Sequence, residues 1–225
     1  MSTTSTRRTD RVAATREAII SAAERLFAEQ GIQAVSNRQI SEAAGQGNNA
    51  AVGYHFGGKN DLIQAIVRKH VARMEPLREE RLQAIGDTAD LHDWVECLIM
   101  PITDYFGTFE GVSWFARFGA QIQTDPQLRP LMDGEATRAE SLERTVAGMK
   151  GCMTHLPEDV VEERFRMMRM LLVFTPASRE SALAKGAPAF GSSWREAGEA
   201  LVDAVVGLLQ APHTKHHKET ARRTP

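Results

Sequence analysis

Apolar side chains recur every three or four residues along almost the whole chain, and this helical spacing restricts the fold more than any other feature. No stretch alternates apolar and polar residues between hairpin turns, as a half-buried strand does. The pattern therefore predicts an all-α protein. We expect a domain of short helices in residues 12–73 and a domain of longer helices in residues 74–211. Residues 1–11 and 212–225 lack the spacing and are predicted to be disordered tails.

The composition excludes several classes of protein. No run of about 18 apolar residues occurs, and the first ten residues have no apolar centre, so neither a membrane span nor a secretion signal is indicated. Two cysteines are too few for a disulfide scaffold or a four-cysteine zinc site. We therefore expect a cytoplasmic protein that makes no membrane contact.

Charge is distributed unevenly along the chain. The formal net charge is −2, but residues 1–60 carry seven basic and five acidic side chains, whereas residues 61–225 carry 20 basic and 24 acidic ones. Contact with a polyanion is therefore expected in the N-terminal quarter. The arginines at its start are interpreted either as an arm for the minor groove or, preferably, as a solubilising tail: Arg7, Arg8 and Arg11.

Three short helices are predicted in the N-terminal quarter. Gly31 closes the first as a left-handed cap. Ser36 and Gln39 form an S-x-x-Q capping box that begins the second, and Gly45 ends it. A short turn follows, in which Asn48 is expected to be the N-cap of the third helix.

Prolines mark the longer helices that follow. A helix that begins at Lys59 is expected to kink or end at Pro76, and the next is expected to kink at Pro101. One further helix is predicted to run from Pro130 through Met149. The last two predicted helices are 158–176 and 192–210.

Three small helices, with a short glycine-containing turn between the second and the third, are the layout of a helix-turn-helix DNA reader. In such a unit the third helix lies in the major groove, and apolar packing holds it there. Its outward side chains here are small or form hydrogen bonds, as close approach to bases and phosphates requires. The candidate DNA-binding residues are Arg38, Asn48, Asn49, Ala51, Gly53, Tyr54, His55 and Lys59.

Individual residues in this set also have structural explanations. For Asn48 the helix cap is the preferred role, and for Asn49 capping and base contact are equally favoured. Lys59 is interpreted as a phosphate ligand, because a cation at a helix N-terminus is mildly unfavourable unless an anion lies nearby.

Three segments together resemble the DNA-binding domain of the TetR family of bacterial transcription regulators. They are Ala23–Phe27 (Ala-Glu-Arg-Leu-Phe), Ser36–Ala44 with its following glycine, and Tyr54–Leu62 (Tyr-His-Phe-Gly-Gly-Lys-Asn-Asp-Leu). Compared with the family pattern, the stretch from Gly45 to Phe56 is one residue longer, and Gly53 replaces a common aromatic residue. Transfer of the family's DNA contacts is therefore best supported for the residues after the insertion: Tyr54, His55 and Lys59.

The resemblance implies a homodimer that binds a pseudo-palindromic operator in double-stranded DNA. It also implies dimerisation through the last two long helices and a C-terminal core that binds a small effector. Most such regulators are repressors that an effector releases from DNA. Here we expect the effector to be mainly apolar. Alternatives are a ligand-independent or activating regulator of the same fold, or a helical scaffold that binds no DNA.

Large apolar and aromatic residues beyond the first domain supply candidates for the effector pocket, although most such side chains form the core of any helical domain. The candidates are Trp94, Leu98, Tyr105, Trp114, Phe115, Phe118, Met149 and Phe174. An enzyme is the competing class. His70, His92 and His155 are isolated in the sequence, and no phosphate-binding glycine loop or nucleophile motif occurs, so we expect no catalytic residue, cofactor or metal.

Overall fold

The computed structural model describes residues 3–111, 113–136 and 139–213, and this part of the chain contains helices and no strands. The predicted all-α fold is confirmed. The helices are α1 (Thr3–Gln30), α2 (Asn37–Ala43), α3 (Ala51–Phe56), α4 (Lys59–Ile85), α5 (Leu91–Gly107), α6 (Phe115–Thr124), α7 (Arg129–Ala136), α8 (Glu140–Gly151), α9 (Glu158–Ala184) and α10 (Trp194–Gln210). Within the described ranges, none of them has both the length and the apolar character needed to cross a bilayer.

The local signals for the first two helices are confirmed. Gly31 has a φ of +96°, and its N–H donates to the carbonyl of Phe27 over 3.0 Å, which ends α1. The Ser36 side chain accepts from the Gln39 backbone, and the Gln39 side chain accepts from the Ser36 N–H, so the capping box begins α2. These features depend on residues three or four apart, which is why the sequence revealed them.

The cap predicted for the third helix is wrong in position. Ala50, not Asn48, is the N-cap of α3, and its side chain makes no capping hydrogen bond. Asn48 instead forms a turn before the helix, because its Oδ1 accepts from the Ala50 N–H over 2.9 Å.

Several helix boundaries also differ from the predictions. α1 begins at Thr3, so residues 3–11 are helical and do not form the predicted tail; the side chains of Arg7 and Arg8 lie outside the description. α4 continues through Pro76, and α9 runs past residue 176. A proline removes one backbone hydrogen bond, and packing of the flanking turns compensates for it. The predicted tail beyond residue 213 lies outside the described residues.

The helix predicted to run from Pro130 to Met149 is two helices. Ala139, which precedes α8, has extended backbone angles (φ −87°, ψ 98°) and separates it from α7. The Glu75 carboxylate accepts from the Ser141 N–H over 2.9 Å and so binds the start of α8 to α4. Apolar spacing continued across the break, and it therefore did not mark the boundary.

Two apolar clusters organise the molecule. The first, which we call the junction cluster, combines buried side chains of α1–α4 with those of the end of α5 and of α6. The second, the distal cluster, joins the first half of α5 with α8, α9 and α10. The predicted boundary between residues 73 and 74 falls inside α4, where Val67 and Met74 both belong to the junction cluster. The N-terminal helices therefore share one core with α4, the end of α5 and α6.

Candidate nucleic-acid interface

α2, the turn after it and α3 form a compact unit held by local hydrogen bonds. Gly45, with a φ of +67°, reverses the chain after α2. The Gln46 N–H then donates to the Ser41 carbonyl over 2.9 Å, and the Ser41 hydroxyl donates to the Asn49 carbonyl over 3.4 Å. Val52 is fully buried and packs α3 against the same core. The longer turn is therefore ordered, and it fixes α3 relative to α2.

Most of the predicted DNA-binding residues are exposed. Tyr54 is 80% exposed, the highest value among the large apolar and aromatic side chains that are exposed. Its ring lies 4.9 Å from the half-buried ring of His55, edge to face. The other exposed residues of the set are Arg38, Asn48, Asn49 and Gly53. Hydrogen-bonding groups therefore lie on the solvent side of the turn and of α3.

Ala51 does not belong to this surface. It was predicted among the outward residues of the third helix, but only 5% of it is exposed, and it packs in the junction cluster. The helix begins only at Ala51, so its first two residues, Ala51 and Val52, turn inward together. The prediction placed the start of the helix too early and so misjudged its inward face.

Lys59 and Arg38, two basic side chains among the predicted DNA-binding residues, both form hydrogen bonds within the protein. Lys59 Nζ donates to the carbonyls of Ile32 (3.1 Å) and Val35 (2.6 Å), which ties the start of α4 to the α1–α2 loop. Burial lowers the pKa of Lys59. Arg38 Nε donates to Glu42 Oε1 over 2.8 Å, and this hydrogen bond raises the pKa of Arg38. An ammonium group has three donors, so Lys59 keeps one for a further acceptor.

A buried polar chain connects the N-terminal helices to α5. His70 Nε2 lies 2.9 Å from Glu24 Oε2, and His70 Nδ1 lies 2.9 Å from the Tyr105 hydroxyl. The imidazole also stacks on Phe115, with ring centroids 3.8 Å apart. His70 is 1% exposed and Glu24 5%, so these hydrogen bonds replace the lost water. His70 is isolated in the sequence but not in the structure, because its partners are 46 and 35 residues away along the chain.

The Gln121 side chain attaches α6 to the end of α1 through two hydrogen bonds. Gln121 Nε2 donates to the Phe27 carbonyl over 2.7 Å, and Gln121 Oε1 accepts from the Ile32 N–H over 2.9 Å. The rings of Phe27 and Phe118 are stacked 5.9 Å apart beside it. This attachment was also missed, because residues about 90 apart in the chain leave no periodic signal.

The candidate effector residues lie in different parts of the molecule. Tyr105, Phe115 and Phe118 lie in the junction cluster, whereas Leu98 and Met149 lie in the distal cluster with Trp94 against them. The other two lie beside grooves. Trp114 borders a cleft of about 270 Å³ next to α1 and α2, and Phe174, 39% exposed, borders a groove of about 440 Å³ along α9.

His92 lies beside two carboxylates of its own helix. Its ring nitrogen and the carboxylate oxygens of Asp93 and Glu96 lie within 4.8 Å of one another in the first turns of α5. The Asp93 carboxylate accepts from the Thr88 hydroxyl over 2.6 Å, so it stabilises the start of the helix.

Comparisons with known proteins agree with this geometry. Residues 19–66, which include α2 and α3, match the family described as bacterial regulatory proteins, tetR family. The HTH-type transcriptional repressor AcnR of Corynebacterium efficiens is 27% identical over 125 residues, which are 53% of this chain and 57% of that protein. The HTH-type transcriptional regulator BetI of Rhizobium meliloti is 27% identical over 177 residues, 75% of this chain and 84% of that protein. The matched part spans about half the length of the AcnR relatives.

A solved structure extends the likeness of fold to most of the chain. A TetR family transcription regulator from Marinobacter aquaeolei VT8 superposes with a TM-score of 0.57 at 16% identity, over 87% of this chain and 97% of that one. The sequence match covers the helix-turn-helix segment, and the likeness of fold includes the helices beyond it. Residues 19–66 therefore match the tetR family of bacterial regulatory proteins, and the fold over 87% of the chain is similar to that of a solved structure of that family.

Proposed function

We propose that this chain is a transcription regulator that reads double-stranded DNA through the exposed side of the 46–50 turn and α3. The observation that carries the proposal is the 80% exposure of Tyr54 on a helix whose opposite side is fully buried. A large aromatic side chain left in water beside hydrogen-bonding asparagines suits contact with phosphates and base edges. The named relatives, a repressor and a regulator of the helix-turn-helix type, support the same activity.

The reader acts as one half of a homodimer. One short helix offers too few base contacts for useful specificity, and a two-fold dimer reads two half-sites about 34–36 Å apart. The partner surface is the outer side of α9, where three apolar side chains are between 39% and 46% exposed: Met167, Met170 and Phe174. Covering these side chains with the same surface of a second copy, together with α10, removes them from water.

The proposed effector is a small, mainly apolar molecule that binds within residues 85–180 and lowers operator affinity. Tyr105, Phe115 and Phe118 support this, because they pack in one cluster with side chains of α1 and α4. A ligand that separates them also moves the helices that carry the reader. It is effective only if it binds one arrangement better than the other, by about 1–3 kcal/mol for a typical regulator.

Footprinting on genomic fragments tests the DNA-binding proposal. We expect the wild type to protect a pseudo-palindromic site. Tyr54→Phe should lose the same affinity at both half-sites of it. Asn49→Ala should change the sequence preference, whereas Asn60→Ala, an exposed asparagine beyond α3, serves as the matched control. Protection of one asymmetric half-site contradicts the dimer. If the protein binds every genomic fragment no more tightly than random DNA, the proposal that it is a sequence-specific regulator is contradicted.

A screen of hydrophobic compounds by thermal shift tests the effector proposal. A compound that stabilises the chain should weaken operator binding in the same concentration range. A compound that fills the core and leaves operator affinity unchanged contradicts the proposed coupling.

A further inference from the structure

α3 cannot maintain its own orientation. It has six residues, and its N-cap, Ala50, provides no side-chain hydrogen bond. Isolated helices much shorter than about 12 residues are marginal in water, because few internal hydrogen bonds offset the cost of nucleation. The direction in which Tyr54 and His55 point therefore depends on contacts from outside α3.

The end of α3 receives such a contact from the first helix. Arg16 of α1 donates from Nη1 to the backbone carbonyl of His55, 39 residues away in sequence. Its guanidinium carbon also lies 4.1 Å from the centre of the Phe56 ring. Arg16 and Phe56 are both half-buried, so water only partly weakens the interaction.

The chemistry of the contact suits the end of a helix. The last carbonyls of a helix have no partner within it and carry partial negative charge, which a cation stabilises. The face of an aromatic ring attracts the same cation. The Gly57 N–H closes the last turn by donating to Gly53 over 2.9 Å, and Arg16 satisfies the carbonyl that this turn leaves open. Arg16 thus contacts the last two residues of α3, the His55 carbonyl and the Phe56 ring.

We propose that Arg16 is a positioning residue for sequence-specific reading and that it acts by orienting α3. The inference rests on the proposed function, since it names the residue that holds the same DNA-reading surface. An arginine near DNA has another possible role, direct attraction of a phosphate. The two roles predict different measurements, because a phosphate contact strengthens binding to all sequences and contributes about one unit to the salt dependence.

The experiment compares Arg16→Ala and Arg16→Lys with the wild type. Arg25→Ala is the matched control, because Arg25 lies on the same helix and pairs with Glu29 over 3.5 Å at the exposed surface. Dissociation constants for the footprinted site and for random DNA are measured at several salt concentrations. Hydrogen exchange of the α3 amides and thermal unfolding are recorded on the same proteins without DNA.

We expect Arg16→Ala to lose about tenfold in affinity for the site while affinity for random DNA and the salt slope stay unchanged. Its α3 amides should exchange faster, whereas Arg25→Ala resembles the wild type. Arg16→Lys keeps a cation and one donor, so it should recover part of the affinity.

If Arg16→Ala binds the site and random DNA more weakly by the same factor, and its salt slope is smaller by about one, Arg16 contacts a phosphate and the proposal is overturned. If the α3 amides are as well protected from exchange in Arg16→Ala as in the wild type, the proposal is overturned, whatever the DNA affinity. If the wild type does not prefer any site although Arg16→Ala loosens α3, the proposed function fails and the orienting role remains.

Discussion

The junction cluster and the distal cluster are built by different chemistry. In the junction cluster, aliphatic and aromatic side chains surround a polar chain that runs from Glu24 through His70 to Tyr105. The distal cluster consists of leucine, isoleucine, valine and methionine. Hydrogen bonds require specific distances and angles, whereas aliphatic contacts tolerate small shifts. In the junction cluster the Glu24–His70–Tyr105 hydrogen bonds therefore restrict the angle between α1, α4 and α5.

α6, which belongs to the junction cluster, is held by hydrogen bonds on two sides. On one side, Gln121 of α6 makes hydrogen bonds to the Phe27 carbonyl and the Ile32 N–H at the end of α1. On the other side the Glu180 carboxylate of α9, fully buried, accepts from the Arg117 N–H over 2.9 Å and from the Arg117 side chain over 3.2 Å. α6 thus makes side-chain hydrogen bonds to both α1 and α9.

The largest expected effect comes from breaking this support. Glu180→Ala removes a buried acceptor and leaves the Arg117 charge without its partner, so the free energy of unfolding should fall by about 3–5 kcal/mol. Urea denaturation measures the loss. Glu199→Ala, which breaks an exposed pair with Arg195, is the control and should change stability by about 0.5 kcal/mol or less. Similar values for the two variants would contradict the role given to Glu180.

The next prediction compares the two clusters by one matched substitution in each. Ile122 of the junction and Ile99 of the distal cluster are both fully buried, and replacing either by alanine should cost about 2–5 kcal/mol. Only Ile122→Ala should also accelerate hydrogen exchange of the α1 amides, because only that cluster includes α1. Equal acceleration in both variants would show that the clusters respond as one unit.

A smaller effect is expected from the polar chain itself. Tyr105→Phe leaves the ring in place but removes the hydroxyl that lies 2.9 Å from His70 Nδ1. An unsatisfied buried nitrogen should cost about 1–3 kcal/mol of unfolding free energy. Operator affinity should fall as well, whereas Tyr54→Phe should lower affinity without changing stability. A Tyr105→Phe protein as stable as the wild type would mean that the hydroxyl does not contribute.

The smallest effect concerns alkaline pH. Burial raises the pKa of Tyr105 from 10 to about 12, because the phenolate is poorly solvated there, and the nearby Glu24 charge adds to the shift. A pKa raised in the folded state means that the stabilisation is complete below pH 10 and is lost as pH rises towards 12. In a Tyr54→Phe protein, tyrosinate absorbance should therefore titrate near pH 12. A midpoint at the ordinary value of 10 would contradict the burial of this phenol.

Short-range features were predictable from the sequence. The capping box at Ser36 and the left-handed Gly31 form hydrogen bonds between residues three or four apart, so they need no tertiary contact. The start of α3 was placed two residues too early, and with it the side on which Ala51 lies, because the turn continues to Ala50 and not only to Asn48. Six residues contain too little periodicity to correct such a shift.

The sequence by itself determined the all-α fold, the helix-turn-helix and its exposed Tyr54, since spacing and caps express forces between residues close in the chain. Only the tertiary structure decided that Glu24, His70 and Tyr105 meet, that Gln121 joins α6 to α1, and that Arg16 holds the end of α3. The physical reason is that a buried polar group must find a partner, but the identity of that partner depends on which helices pack together. Local sequence carries no record of that choice.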